Sequence, residues 1–261
     1  MTKKALCVGI NDYPFGEAND LRGCVNDAND WASLLKNSFG FTDVKQLLDA
    51  QATKANILAG INDLLDGAKA GDVLVFTNAS HGTYQADTDG DEPKFDEAIC
   101  PCDTNSDLLL DDELRAIFKR IPDGVQLVVI SDSCHSGSVT RVPGTDRRSR
   151  LLDPRVFGGK ALKPSELRAA RAKKEKYPES GMKEILLSGC KSSQTSADAF
   201  IANDYHGAMS YYALEVIKEA NNNITYAELH ERLLEKLEAE NYDQVPQLEG
   251  KEENKHRQIF T

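Results

Sequence analysis

Short apolar runs alternate along this chain with stretches in which apolar residues recur every three or four positions. The runs predict buried β-strands, and the recurring pattern predicts helices that bury one face. The predicted strands cover residues 5–10, 44–48, 73–77, 126–130, 184–187 and 245–248. Pro246 favours an edge position for the last strand, because proline cannot donate a hydrogen bond to a neighbouring strand.

Helical spacing occupies most of the chain between these strands. Thr53 and Thr225 are suited to cap the helices that follow them, and Glu228 completes a capping box with Thr225. Strands that alternate with helices predict an α/β fold, with a mostly parallel sheet and helices on both faces. The predicted helices cover residues 21–39, 54–65, 111–121, 207–220 and 226–237, and the Asp- and Gly-rich stretch 85–107 predicts a loop or a small hairpin.

Composition narrows the class of protein. The chain has 261 residues and a formal net charge of −11, which argues against nucleic acid as a partner. No apolar run approaches the length of about 18 residues that a membrane span needs. The six cysteines show no disulfide framework, so we expect a cytoplasmic protein.

One segment differs in charge from the rest of the chain. Residues 141–183 carry thirteen Lys and Arg residues against five Asp and Glu residues. They show little apolar periodicity before Leu162, so we predict an exposed linker with a short helix near 164–176.

Candidate chemistry follows two of the predicted strands. The strand 126–130 runs into Cys134, and the strand 73–77 is followed by His81. If these strands are neighbours, they lie about 4.8 Å apart, and their carboxyl ends border the crevice where ligands bind. A nearby imidazole activates a cysteine thiol and protonates a leaving amine. The amides of Gly82 and Cys134 are candidate donors to a substrate oxyanion.

Simpler interpretations of both residues stay open. An isolated cysteine among apolar residues is usually a small core residue, and an isolated histidine is usually structural. Four further histidines compete for the role of partner to Cys134: His135, His206, His230 and His256.

Four segments resemble, in order, segments of the metacaspases, a branch of the caspase-like cysteine peptidases. The resemblance implies a caspase-like fold with a six-stranded sheet, and an endopeptidase that cleaves after Arg or Lys. It also implies a large region, 1–140, and a small region, 184–261, on either side of the linker 141–183, within one domain. The four segments read LRGCVNDA at 21–28, DSCHSG at 132–137, SGCKSSQTSAD at 188–198 and PQL at 246–248.

The resemblance implies a catalytic dyad and a pocket for a basic side chain. Cys134 would be the nucleophile and His81 the acid–base, with Gly82 beside them. The sequence NASHG stands at 78–82 where the family has YSGHG, which puts Ala79 in the place of a pocket serine. The implied pocket residues are Asp27, Asp132 and Cys24. Alternatively, Asp132 caps a turn and Asp27 is an acid on a helix surface.

Calcium is a further expectation from the family, whose site would draw on Asp96, Asp111 and Asp112. The acidic stretch near 87–98 is not an EF-hand, because Glu92 and Ala98 replace the glycine and the closing glutamate. An acidic ligand expected after Cys134 is also missing at 140–141. We therefore predict no obligatory cofactor, with Ca²⁺ as an optional activator; a solvated acidic loop is the alternative.

The basic linker contains candidate sites of self-cleavage, because an enzyme that cuts after Arg or Lys would find them in its own chain. These are Arg147, Arg148 and Arg150. A protein-docking or solubilising loop is the alternative. We expect a monomer that acts on proteins or peptides with Arg or Lys before the cleaved bond.

Two other functions remain as alternatives. The altered residues before His81 favour a catalytically silent caspase-like module that serves as an interaction scaffold. A nucleotide-binding α/β protein is disfavoured, because no Gly-rich phosphate loop follows the first predicted strand.

Overall fold

The architecture is a six-stranded central sheet covered by helices on both faces. A computed structural model describes residues 1–86, 95–105, 107–135, 146–162, 166, 179–191 and 194–261. All neighbouring strands of this sheet are parallel except one pair at an edge, Gln247–Glu249 with Glu184–Ser188. This confirms the predicted α/β class, the six strands and the edge position of the last one.

The elements follow the predicted order with shifted ends. The central strands are β1 (Lys3–Gly9), β2 (Asp43–Leu48), β3 (Val73–Ala79), β7 (Gln126–Asp132), β9 (Glu184–Ser188) and β12 (Gln247–Glu249). Their order across the sheet is β12-β9-β7-β3-β1-β2. The helices are α1 (Cys24–Phe39), α2 (Lys54–Leu65), α3 (Asp111–Phe118), α4 (Ala208–Glu219), α5 (Tyr226–Ala239) and the short α6 (Glu252–Lys255). The caps at Thr53 and Thr225 are confirmed. The helix expected near 164–176 falls largely outside the described residues.

Alternate residues of the central strands face opposite sides of the sheet, which builds two cores. Val73 and Val75 pack under α1, α4 and α5, whereas Leu74 and Phe76 pack against α2 and α3. Both faces are therefore apolar, as the nearly continuous hydrophobic runs of β3 and β7 require.

Helix α1 begins three residues later than its periodicity predicts. The backbone N–H groups of Arg22 and Gly23 donate to the carboxylate of Asp198, and that of Leu21 donates to the carbonyl of Asn11. These tertiary hydrogen bonds hold residues 21–23 outside the helix, and they tie its start to the small region of the chain.

Two small antiparallel sheets lie beside the central one. The first joins β4 (Gly82–Ala86), β5 (Phe95–Ile99) and β6 (Leu109–Leu110), which confirms the predicted hairpin. The second joins β8 (Arg148–Ser149), β10 (Ala197–Ile201) and β11 (Asp204–Gly207) and was not predicted. The turn between β10 and β11 places Ala202 and Asn203 at positive φ. Alanine rarely adopts this conformation, so the sequence does not indicate the turn.

The prediction of an exposed linker over 141–183 is wrong for residues 150–152. Arg150, Leu151 and Leu152 are buried, with Arg150 0% exposed. The hydrogen bonds of β8 and the buried acids around Arg150 outweigh the cost of removing this charge from water. Among the described residues, no helix is long and apolar enough to cross a membrane.

The penultimate residue, Phe260, closes the core under α1 and α5. Its ring lies 5.0–6.4 Å from four aromatic rings, those of Trp31, Phe39, Phe41 and Tyr226. We expect Phe260→Ala to lower the free energy of unfolding by about 3–5 kcal/mol in a denaturant titration, because it leaves a cavity. The matched control is Phe200→Ala, since Phe200 is 54% exposed. Its expected loss is about 0.5 kcal/mol or less, and equal losses for the two variants would contradict a core role for Phe260.

Candidate active site

His81 lies just beyond the end of β3 with its imidazole oriented by a backbone carbonyl. Its Nε2 is 2.7 Å from the carbonyl oxygen of Asn19. A carbonyl only accepts hydrogen bonds, so Nε2 carries the proton and Nδ1 of the neutral ring has a free electron pair. Among the described residues no partner meets Nδ1 in hydrogen-bonding geometry, although the Arg150 backbone lies close enough to the ring to oppose the lowering of its pKa. The ring is therefore in the tautomer that a general base needs.

The surroundings of His81 keep the imidazole neutral. The ring is buried, with its centroid 4.8 Å from that of Tyr13, whose hydroxyl accepts a hydrogen bond from the His81 N–H. Burial lowers the pKa of His81 from 6.5 to about 4. At neutral pH this side chain can accept a proton.

Cys134 follows β7, the strand next to β3, as the pairing of Ala79 with Asp132 requires. Its thiol is buried and donates to the carbonyl of Gln194 at 2.9 Å. A second thiol, that of Cys190, lies 3.6 Å from the Cys134 sulfur, and this contact raises the pKa of Cys190. The candidate nucleophile is thus held by the loop that follows β9.

Gly82 lies against the backbone of Cys134. A Cβ atom at position 82 would stand 2.3 Å from the Cys134 carbonyl oxygen, so only glycine fits there. The Gly82 N–H donates to the carbonyl oxygen of Arg150 at 2.8 Å. The predicted oxyanion donor therefore already binds a peptide carbonyl, that of an arginine.

The side chain of Arg150 fills a pocket of three carboxylates. Its Nη2 lies 2.7 Å from Asp27 and 3.1 Å from Asp198, and its Nη1 lies 3.3 Å from Asp132. All four side chains are at most 1% exposed. Nη1 also donates to the Asp132 carbonyl at 3.0 Å. Asp27 and Asp132 are thus brought together as predicted, and neither is a surface acid.

Backbone N–H groups hold each carboxylate independently of the arginine. Asp27 accepts from Gly207, Asp132 from Ser210 and Asp198 from Arg22 and Gly23, at 2.9–3.0 Å. Burial nevertheless raises the pKa of Asp27, although Arg150 opposes the shift. With three acids to one guanidinium, the pocket is built for a cation.

Two small residues shape this pocket. A Cβ atom at Gly207 would lie 2.2 Å from the Asp132 carboxylate and 2.5 Å from Arg150 Nη1. Cys24 is fully buried beside the cluster; burial raises the pKa of its thiol, and the field of Arg150 lowers it. The Cys24 thiol therefore stays protonated and neutral, and it forms part of the wall of the pocket.

The chain on both sides of Arg150 is extended and hydrogen-bonded along the cleft. Strand β8 pairs antiparallel with β10, and the Arg150 N–H donates to the Ser196 carbonyl at 3.0 Å. Beyond Arg150, the Leu152 N–H donates to the Gly82 carbonyl at 2.9 Å, and the Thr83 hydroxyl donates to the Leu152 carbonyl. The segment lies as a peptide ligand lies when it extends a sheet.

The other four histidines bind other groups. His135 Nδ1 bonds to the carbonyl of Ala98, and His230 Nε2 to that of Pro246. His206 lies 3.6 Å from the Asp27 carboxylate, and His256 pairs with Glu252 on α6. His81 is the histidine that this arrangement favours.

Two of the three acids that were predicted to bind calcium form ion pairs with an arginine. Asp111 and Asp112 both form ion pairs with Arg115, at 3.1 and 2.5 Å, and Asp96 is buried in β5. Within the described part of the chain, no group of three or more His, Cys, Asp or Glu side chains is arranged to hold a metal ion. Among the described residues, Asp96, Asp111 and Asp112 are therefore not gathered into one such group.

Several site residues could not be assigned from the sequence. Asp198 and Ser196 belong to the QTSAD segment, which resembles a family motif but indicates no role for either residue. Ser196 donates to the Asp132 carboxylate and supplies a pocket hydroxyl, although Ala79 cannot. Asn19 acts through its backbone carbonyl, which no side-chain pattern could have indicated.

Comparisons with known proteins identify the family of this chain. The model of the family described as "Metacaspase, peptidase C14 domain" matches residues 3–143. The chain is 34% identical to Metacaspase-1 of Ajellomyces capsulatus, over 94% of this chain and 79% of that protein. It is 34% identical to Metacaspase-1 of Coccidioides immitis and 33% identical to that of Meyerozyma guilliermondii, over 94% of this chain and 61% and 68% of those proteins.

This chain also resembles solved structures in its fold. A crystal structure of a Geobacter sulfurreducens protein has a TM-score of 0.77 at 28% identity and covers 100% of this chain and 99% of that one. Caspase-1 of Spodoptera frugiperda has a TM-score of 0.61 at 14% identity, over 95% and 86% of the two chains, which shows the caspase-like fold. Taken with the sequence matches, these likenesses show that the chain belongs to the metacaspases, a family of cysteine endopeptidases.

Proposed function

We propose that this protein cleaves peptide bonds after arginine or lysine, with Cys134 as nucleophile and His81 as acid–base, and that it cuts its own chain between Arg150 and Leu151. One observation carries the proposal. Arg150 occupies a pocket of three carboxylates while its carbonyl accepts a hydrogen bond from Gly82, beside Cys134. The carbonyl of the bond after this arginine therefore lies on Gly82, next to the Cys134 backbone, which supports this bond as the one that is cut.

Charge supports the choice of a basic residue before the cleaved bond. Three buried carboxylates repel a fourth, so an aspartate in this pocket would be strongly disfavoured. A guanidinium or an ammonium relieves the repulsion. Arginine suits the pocket better, because its planar group reaches several acceptors at once.

The first half of the reaction forms an acyl-enzyme. Cys134 loses its proton to His81 Nδ1, and the sulfur attacks the carbonyl carbon of the basic residue. Negative charge gathers on the carbonyl oxygen, where the Gly82 N–H donates. The carbon–nitrogen bond then breaks, and the leaving amine takes the proton from the imidazolium.

The second half releases the acid. His81 takes a proton from water, which attacks the thioester and frees the carboxylic acid, and the Cys134 thiol is restored. The Asn19 carbonyl accepts from Nε2 throughout, so the ring keeps the orientation in which Nδ1 gains and loses the proton. The chain's own groups and water supply every proton that moves in the two halves.

A cut after Arg150 would leave the central sheet intact. Among the described residues, the linker 141–183 contributes β8 to the small sheet and none of the central strands. The cut would separate the large and small regions in sequence while β7 and β9 stay paired.

Calcium activation, a cytoplasmic location and a monomeric state remain predictions. Addition of Ca²⁺ to a peptide-hydrolysis assay tests calcium activation.

Incubation of the purified protein should give two fragments, 1–150 and 151–261, identified by mass spectrometry. Cys134→Ala should stay intact. Arg150→Gln should lose this cut, because glutamine cannot satisfy three carboxylates. The matched control is Arg155→Gln, since Arg155 is an exposed arginine of the same segment, and this variant should be cut normally. A Cys134→Ala chain cut at the same bond would refute self-cleavage.

Substitution of a pocket acid should weaken hydrolysis of fluorogenic peptides that end in arginine. We expect Asp27→Asn or Asp198→Asn to lower kcat/KM by about 30-fold or more, because each removes one partner of a buried ion pair. Asp30→Asn, a half-exposed acid one turn away on α1, should stay within about fivefold. Unchanged rates in both pocket variants would exclude this pocket, as would cleavage after aspartate.

The low pKa of His81 predicts acid sensitivity, measured with chains that carry Cys134→Ala to prevent cleavage. Between pH 7.5 and 5 the unfolded chain gains a proton at His81, whereas the folded chain stays neutral down to about pH 4. The free energy of unfolding should therefore fall by about 2 kcal/mol more than in the same chain with His81→Asn. His256→Asn, at an exposed histidine, should behave like the parent chain. Parallel pH curves for all three chains would contradict a buried neutral His81.

A further inference from the structure

Arg147, three residues before Arg150, has a binding site of its own. Its guanidinium carbon lies 3.9 Å from the centroid of the Tyr242 ring. Its Nη1 donates to the carbonyl of Asn241 at 2.9 Å, and Nη2 lies 3.5 Å from the carbonyl of Glu240. The ring face and the two carbonyls are all groups that attract a cation.

This site is built from the main body of the protein. Glu240, Asn241 and Tyr242 directly follow α5, at the helix end where carbonyl groups carry partial negative charge. Asn241 adopts a positive φ of 58°. The Tyr242 ring packs edge-on against Tyr212 of α4, with the centroids 5.8 Å apart. The ring is therefore packed against the body of the protein, and Arg147 lies over one of its faces.

The same turn is linked to the loop that holds the nucleophile. Gln194 Nε2 donates to the carbonyl of Asp243, and Gln194 Oε1 accepts from the N–H of Val245 at 3.0 Å. The Gln194 carbonyl in turn accepts from the Cys134 thiol. The cation site and the reaction centre are thus joined through one residue, Gln194.

We propose that Tyr242, with the carbonyls of Glu240 and Asn241, is a subsite for arginine at P4, the fourth residue before the cleaved bond. The preferred substrates of the protein then carry arginine at P4 and also at P1, the residue immediately before the cleaved bond. The inference rests on the proposed function, since it treats residues 147–150 as bound in the manner of a substrate. Arginine fits better than lysine, because a flat guanidinium stacks on the ring while its N–H groups reach the carbonyls.

The test compares two fluorogenic peptides on the purified wild-type protein. One has the sequence Arg-Ala-Ser-Arg, and the other has citrulline in place of the first arginine, which keeps the shape and removes the charge. We expect kcat/KM to be about fivefold higher for the arginine peptide. Occupation of the cleft by the protein's own segment would lower both rates alike and would leave their ratio unchanged.

Two variants test whether the preference for arginine at P4 comes from the Tyr242 ring or from the general negative charge of the protein. Tyr242→Phe keeps the ring and should keep the ratio, whereas Tyr242→Leu should bring it close to one. Equal rates for the two peptides in wild type, or a preference that survives Tyr242→Leu, would overturn the inference and leave the proposed function standing. Hydrolysis of neither peptide would overturn both.

Discussion

The burial of one arginine among three carboxylates is the constraint on which the site depends. Arg150 is fully buried, and its charge would be very costly there without Asp27, Asp132 and Asp198. The three acids come from α1, from the end of β7 and from β10, so the pocket closes only when the large and small regions pack together. The same contact fixes the path of β8 and brings the Arg150 carbonyl to Gly82.

The parallel sheet places the loops that carry the proposed reacting groups, His81 and Cys134, at one edge. Strands β3 and β7 are neighbours in register, so the residues that follow them overhang one edge. The imidazole receives its orientation from the Asn19 carbonyl and its neutrality from burial, while the thiol lies against the loop after β9. None of these contacts is strong alone, and their value lies in holding the groups in one arrangement.

The cleft binds an extended segment by its backbone and by its side chains. Main-chain hydrogen bonds with Ser196 and Gly82 are indifferent to sequence, so they hold the chain without selecting it. In the proposed function, selection comes from the carboxylate pocket around Arg150 and from the ring of Tyr242 beside Arg147. Arg148 adds a third contact, since its guanidinium donates to the carbonyl of Asp20 at 2.6 Å.

The sequence by itself determined the order of the elements, the α/β class and the neighbourhood of Cys134 and His81, because hydrophobic periodicity and short motifs are local. Only the tertiary structure decided that Arg150 is buried, since its charge indicated exposure and its partner Asp27 lies 123 residues away. It also decided the roles of Asp198 and of the Asn19 carbonyl. Such contacts depend on which distant segments pack together, and a backbone carbonyl is present at every residue, so no local pattern marks the one that orients His81.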